Sequence, residues 1–229
     1  MAVLALRGHQ SRGVLAGLLW PDHPEHRARA SLRTALRQLR RQLGSAVEVG
    51  RDDVALSESV TVDLDRLRAT LDLVEEAPDE LDVRGAPALR VLRSPDLLVG
   101  WYDDWVLTER EQLRHRRVRA LMTLARGAIA SGDAARSTDF ARQAVELEPL
   151  LESATSLYVR ALLLDGDLTA AMAEYQRFRD RLRVELGIAP PDGLTELVRE
   201  AMASRSARGT GRLPRAPRVT PAGHARWRS

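Results

Sequence analysis

Two Gly-Asp pairs in the C-terminal half of the chain constrain its fold more than any other feature. Gly132-Asp133 and Gly166-Asp167 lie 34 residues apart, and each pair separates two amphipathic segments. This spacing is the period of the tetratricopeptide repeat (TPR), in which each unit is a helix, a turn and a second helix. Small or apolar residues recur in the same register, namely Ala125 with Val159, Ala128 with Leu162, Ser137 with Ala171, Ala141 with Tyr175, and Ala144 with Phe178.

The period predicts helical hairpins that stack into a curved array and offer a surface for protein contacts. At least three units are usually needed to bury a continuous core. Further helices are predicted in the segments LRATLDLVEEA, DWVLTEREQLRHRRVRALMTLARGAIAS and DGLTELVREAMAS. A helical bundle whose period is a coincidence is the alternative. We expect Trp20 to be a packing residue, and Trp101 and Trp105 to be core anchors that share a helical face or an entry turn, because they lie four residues apart.

The N-terminal part contains a different pattern, a stretch of six arginines without any acidic residue from His26 to Gly44. Its apolar residues have helical spacing and predict one buried face, formed by Leu32, Ala35, Leu36, Leu39 and Leu43. The opposite face holds Arg27, Ser31, Thr34, Gln38 and Arg41, with Arg37 beside them and Arg33 and Arg40 on the flank nearer the core. For an isolated helix, a solvated face of an arginine-rich protein and a nucleic-acid-binding face are equally good interpretations.

The neighbouring segments favour nucleic-acid binding. Upstream, Ser11 is a candidate N-cap of a helix that carries Val14, Leu15, Leu18 and Leu19 and ends at Pro21. Downstream, Val47 and Val49, the turn 50–53, then Val54 and Leu56 predict a β-hairpin. A helix, a loop, an arginine-faced helix and a hairpin form a helix-turn-helix with a wing. Such a helix suits the major groove, where Arg can bond guanine and Ser, Thr or Gln can bond base edges or phosphates.

The composition argues against the common catalytic sites. All 35 basic residues are arginine, so the chain lacks the lysine of a phosphate-binding GxxxxGK loop or of a Schiff base. There is no cysteine and no GxSxG motif, and His23 and His26 lack a third metal ligand nearby. We therefore expect neither an enzyme nor a bound metal or cofactor. No apolar run is long enough for a membrane span, and we expect a soluble cytoplasmic protein without a membrane partner.

Positive charge is concentrated at the two ends of the chain. Residues 1–50 contain 8 Arg and 3 acidic residues, whereas residues 51–110 contain 7 Arg and 15 acidic residues. Residues 203–229 contain 7 Arg and no acidic residue. This last segment is also rich in Pro and Gly, so we expect it to be a disordered basic tail that holds DNA phosphates non-specifically or keeps the protein in solution.

Several long segments resemble a known family. LAGLLWPDHPEHRARASLRTALRQLRRQLG, followed by VTVDLDRLRA, is similar to the winged-helix half of SARP-type (antibiotic regulatory protein) transcription activators. DLLVGWYDDWVLTEREQLRHRRVRALMTLA and YQRFRDRLRVELGIAPPDGLTELVREAM resemble their bacterial transcriptional activation domain (BTAD). The resemblance implies activation of a biosynthetic gene cluster, dimeric binding to direct repeats in promoter DNA, and contact with RNA polymerase.

In that family the winged helix, of the OmpR response-regulator kind, begins with a small sheet and a full first helix. This chain begins near the end of that helix, so we expect a partial winged helix that exposes Leu and Val side chains and is softer than the helical repeat.

The expected architecture is therefore mostly α, with a partial winged helix-turn-helix at residues 1–62, a TPR-like BTAD at residues 63–202 and the tail at residues 203–229. The predicted function is that of a DNA-binding transcriptional activator. The alternative is a TPR-like protein-interaction module whose short head does not bind DNA. The predicted DNA-binding residues are Arg27, Ser31, Thr34, Arg37, Gln38, Arg40 and Arg41 in the helix and Arg51 in the wing.

Overall fold

The computed structural model describes residues 1–76 and 91–209. This part of the chain is mostly α-helical, as predicted, with one small sheet. The N-terminal elements are α1 (Ala2–Arg7), β1 (Gln10–Ser11), α2 (Arg12–Leu19), α3 (Glu25–Leu43), β2 (Val47–Val49), β3 (Asp53–Leu56) and α4 (Asp63–Glu76). They are followed by α5 (Asp104–Ala130), α6 (Ala134–Leu147), α7 (Glu152–Leu164), α8 (Leu168–Arg181) and α9 (Asp192–Gly209), with a π-helical turn (Leu182–Leu186) after α8.

The predicted wing is the hairpin formed by β2 and β3. Val47 pairs with Leu56 and Val49 pairs with Val54 in antiparallel register, which confirms the hairpin prediction. The sequence did not predict β1, which pairs with the other edge of β3 and gives the strand order β1-β3-β2. A strand of two residues is too short to show the alternation of polar and apolar residues from which strands are predicted.

Helix α2 begins where it was predicted and buries part of the predicted face. The Ser11 hydroxyl accepts a hydrogen bond from the Val14 amide at 3.2 Å, as an N-cap does. Leu15 is buried and Leu18 packs against the core, as predicted, whereas Val14 and Leu19 are 51% and 39% exposed, so the prediction was wrong at these two positions. The buried residues are Leu15 and Ala16. Helix α2 packs against α3, and the small Ala16 side chain permits a closer approach than a face centred on leucines would.

One continuous apolar core joins the N-terminal elements to the first helices of the repeat. Polar contacts reinforce the same joint, because Arg68 on α4 donates to the carbonyl oxygens of Ala5 and Leu6. In addition, Arg7 Nε donates to Glu109 Oε1 of α5 at 2.7 Å. The buried side chains at this joint include Val3, Leu4 and Leu6 of α1, Leu64, Leu67, Leu71 and Val74 of α4, and Trp105, Val106, Val118 and Leu121 of α5.

The 34-residue repeat is confirmed by two turns with the same geometry. Gly132 and Gly166 have φ angles of 73° and 81°, a backbone conformation that favours glycine. The Asp133 and Asp167 side chains cap the following helices by accepting hydrogen bonds from the amides of Arg136 (3.1 Å) and Ala170 (2.9 Å). The residues of the predicted register pairs are buried except for Tyr175, which is half-buried.

Helix α9 covers the end of the array. Leu194 and Val198 pack with Phe178 and Leu182 in a second apolar cluster. The helix continues to Gly209, so the expected disordered tail does not begin at residue 203. The rest of that predicted tail, residues 210–229, lies outside the described residues.

The two neighbouring tryptophans have different environments. Trp105 is buried in α5, whereas Trp101 is 47% exposed and precedes the helix, which begins at Asp104. Their rings form an edge-to-face pair with centroids 6.5 Å apart. The prediction that Trp101 is a core anchor was wrong, because the chain turns before it enters the helix. Trp20 is half-buried against the core, in agreement with its assignment to packing.

We predict that Phe178→Ala lowers the free energy of unfolding by about 3–5 kcal/mol, because the cavity left by a fully buried ring cannot collapse completely. The Phe178 side chain is 0% exposed. The control is Val184→Ala at a side chain that is 78% exposed, which should change stability by no more than about 0.5 kcal/mol. Urea denaturation followed by circular dichroism measures both variants, and equal midpoints for the two would contradict this packing.

Candidate nucleic-acid interface

Helix α3 carries most of the predicted DNA-binding residues and is anchored by an apolar row. Ala28, Leu32 and Leu36 are buried. Leu43 is exposed, so the predicted row was wrong at its last position. The buried row begins one turn earlier than predicted because the helix begins at Glu25. The opposite side of α3 therefore faces solvent along most of its length.

The predicted DNA-binding residues lie on this exposed side and at the tip of the wing. Ser31 differs from the others because it is half-buried. The Thr34 hydroxyl donates to the Ala30 carbonyl oxygen at 3.2 Å, so part of its hydrogen-bonding capacity is used within the helix. The exposed residues are Arg27, Thr34, Arg37, Gln38, Arg40 and Arg41 on α3, and Arg51 between β2 and β3.

Most arginines of α3 have no acidic partner. Arg29 is paired, since its Nη2 lies 2.6 Å from Glu25 Oε1. A positive surface of this kind attracts the phosphate backbone of DNA and releases its counterions on binding. Within residues 1–76 and 91–209, no ion pair to a carboxylate is formed by Arg27, Arg33, Arg37, Arg41 or Arg51.

In the helical repeat, by contrast, many arginines form ion pairs with carboxylates. Arg116 Nη2 lies 2.6 Å from Asp72 Oδ1 and 3.0 Å from Glu75 Oε2, and this contact joins α4 to α5. The hydrogen bond from Arg116 lowers the pKa of Glu75. Carboxylates thus compensate many arginines of the helical repeat, whereas most arginines of α3 remain without a carboxylate partner. Further pairs are Arg93 with Asp139, Arg114 with Glu111 and Glu148, Arg142 with Asp139 and Glu146, Arg177 with Glu174, and Arg199 with Glu196.

Arg40 connects α3 to the wing. Its Nη2 donates to the Val49 carbonyl oxygen at 3.2 Å. One of its donors is therefore directed at the hairpin. In this structure Arg40 stabilises the position of the wing beside α3, a contact that the sequence did not reveal.

The wing turn is also held by residues that the sequence analysis did not select. Arg12 Nη2 donates to the Gly50 carbonyl oxygen at 2.7 Å, and the Arg12 amide donates to the Asp52 carbonyl oxygen at 2.9 Å. His9 Nε2 lies 2.6 Å from Asp53 Oδ2, and this hydrogen bond lowers the pKa of Asp53. These partners are about 40 residues apart in sequence, so no local pattern could have found them.

The arrangement presents a basic helix beside a hairpin turn that carries one exposed arginine, Arg51, followed by Asp52 and Asp53. Arg side chains can bond guanine through two N–H groups, and Arg, Thr and Gln can all bond phosphate oxygens. In the described part of the chain, no three His, Asp or Glu side chains come together as a metal site would require. None of the helices in that part is long and apolar enough to span a membrane.

Comparison with known proteins identifies the family. Residues 62–202 match the family described as "Bacterial transcriptional activator domain". The chain belongs to this family. It is also 30% identical, over 207 residues, to the regulatory protein AfsR of Streptomyces coelicolor. This alignment covers 86% of the chain and 21% of AfsR, so the chain spans about a fifth of that protein's length. The SARP-type resemblance is thereby confirmed, and the matched family is one of transcriptional regulators and not of enzymes.

We predict that Arg37→Ala and Arg41→Ala each weaken DNA binding and leave the helical circular-dichroism signal unchanged, because both side chains face solvent. Loss of a base contact should cost about 1–3 kcal/mol and relax specificity at one position. Loss of a phosphate contact should weaken binding to all sequences and reduce the salt slope by about one. Arg160→Ala, which removes an exposed arginine from α7, is the control with unchanged binding.

Fluorescence anisotropy with a duplex selected from a randomised pool measures the affinities of all three variants at several salt concentrations. If both α3 variants bind DNA with wild-type affinity, this helix is not part of the DNA interface.

Proposed function

We propose that this protein is a DNA-binding transcriptional activator of the SARP type that controls a biosynthetic gene cluster. The observation that carries the proposal is the uncompensated arginine surface of α3 beside the wing. This surface occurs in a chain that belongs to a family of bacterial transcriptional activator domains. AfsR, to which the chain is similar, is a regulatory protein, and this agrees with such a function.

In the proposed complex, α3 enters the major groove of double-stranded promoter DNA. Arg37, Gln38 and Arg41 project from the solvent side of the helix and contact base edges or phosphates. Arg27 and the wing residue Arg51 contact the phosphate backbone on either side. Phosphate contacts supply affinity and fix the register of the helix, and the base contacts select the sequence.

The proposal divides the chain into residues 1–62, which bind DNA, residues 63–202, which contact RNA polymerase, and a basic segment, residues 203–229, which adds phosphate contacts. The SARP resemblance implies direct repeats in the promoter and a homodimer that occupies them. The protein acts in the cytoplasm, where bacterial DNA and RNA polymerase are located, and it needs no cofactor.

The rival function is that of a protein-interaction module whose head does not bind DNA. The continuous core between the head and the repeat is compatible with both functions. The exposed arginines of α3 favour DNA binding, because a row of uncompensated positive charge beside a wing attracts a polyanion.

We predict that deletion of the gene lowers the transcripts of a set of adjacent biosynthetic genes and that the intact protein restores them. A chain carrying both Arg37→Ala and Arg41→Ala should accumulate to the normal level and fail to restore transcription. The Arg160→Ala chain is the matched control and should restore it. RNA sequencing and immunoblotting measure these outcomes, and full restoration by the double variant would favour the interaction module.

A further inference from the structure

The wing turn is fixed from outside the hairpin by Arg12 and His9. Arg12 donates from Nη2 to the Gly50 carbonyl oxygen (2.7 Å) and from its amide to the Asp52 carbonyl oxygen (2.9 Å). His9 Nε2 lies 2.6 Å from Asp53 Oδ2. The loop before β1 and the start of α2 therefore hold successive residues of the same turn.

The guanidinium of Arg12 is directed at the hairpin, with Nη2 donating to the Gly50 carbonyl oxygen. The residue is half-buried, and its Nε atom is buried without a hydrogen-bond partner among the described residues. Arg51 has the opposite environment, because it is exposed at the tip of the turn and forms no ion pair within the described chain.

The turn is also closed by contacts of its own. The Gly50 amide donates to the Asp53 carbonyl oxygen at 3.0 Å. The Asp53 carboxylate that His9 binds lies against Gly50, where a side chain would require it to move. In addition, Arg40 of α3 donates to the Val49 carbonyl oxygen at 3.2 Å. The hairpin is thus held by residues from three other segments, while the side chains of Arg51 and Asp52 are exposed at its tip.

We infer that Arg12 is a positioning residue for DNA binding, which fixes the wing turn so that Arg51 meets the phosphate backbone. The inference rests on the proposed function. A guanidinium on a mobile turn must lose conformational freedom when it binds, whereas a turn that is already fixed has lost it on folding. His9 supports the same turn through Asp53.

A double-mutant cycle tests this role, because Arg12 acts through Arg51 and not on DNA. Arg51→Ala should weaken binding to the selected duplex on the order of tenfold and reduce the salt slope by about one. Arg12→Ala should have a similar effect on both quantities, and the double variant should bind no more weakly than Arg51→Ala alone. Arg12→Ala combined with Arg37→Ala should multiply the two losses, because Arg37 lies on α3 away from the turn.

Two outcomes of the cycle would overturn the inference. If the losses from Arg12→Ala and Arg51→Ala multiply, Arg12 contacts DNA itself or acts on another element. If Arg12→Ala binds with wild-type affinity and salt slope while Arg51→Ala does not, the turn positions Arg51 without Arg12. An unchanged melting temperature for Arg12→Ala confirms that the variant is folded. If it melts earlier, Arg12→Lys, which keeps one donor toward Gly50, takes its place and should retain most of the binding.

Hydrogen exchange on the DNA-free protein separates failure of this inference from failure of the proposed function. The Gly50 amide should exchange several-fold faster in Arg12→Ala than in the wild type, while amides of α5 to α8 remain unchanged. Equal exchange of Gly50 in both proteins would overturn the positioning role whether or not the protein binds DNA. Absence of DNA binding in the wild type, with faster Gly50 exchange in the variant, would instead contradict the proposed function alone.

Discussion

The apolar contact of α4 with α1 and α5 is the interaction on which the rest of the molecule depends. Leu64, Leu67, Leu71 and Val74 form one buried stripe at helical spacing on α4. Each such side chain contributes about 1.5–3 kcal/mol when fully buried. The chain contains no cysteine, so no disulfide shares this task. Because the core continues from α1 into the repeat, the orientation of α3 is fixed relative to the helices that match the activator family.

Repulsion between the arginines of α3 destabilises the isolated helix, and burial of the leucine row offsets this loss of stability. Arg29, Arg33, Arg37 and Arg41 follow one another at intervals of four residues. Like charges at this spacing destabilise a helix by about 0.2–0.5 kcal/mol per pair. Of these four arginines, only Arg29 has a carboxylate partner in the described chain. Binding of an external polyanion such as DNA would relieve this repulsion, as we propose for α3.

Local patterns predicted the parts of this structure that local interactions determine. The turns at Gly132 and Gly166, the Ser11 cap and the β2–β3 hairpin depend on residues close together in sequence, and all were predicted. The burial of each residue of α2 and of Trp101 depends on what packs against it, and the predictions were wrong at Val14, Leu19 and Trp101. In the candidate site, periodicity separated the arginines of α3 from its apolar row. It could not reveal that Arg12 holds Gly50, because their contact joins segments far apart in sequence.

We propose that the uncompensated arginines of α3 and Arg51 of the wing form the DNA-binding surface. Chemical modification of arginine by a dicarbonyl reagent, quantified by mass spectrometry with and without duplex DNA, measures it most directly. We predict that DNA protects Arg27, Arg33, Arg37, Arg41 and Arg51 from modification. The equally exposed Arg126 and Arg160 of the helical repeat should react at the same rate with and without DNA. Protection of Arg126 and Arg160, with unchanged modification of the α3 arginines, would contradict this assignment of the DNA-binding surface.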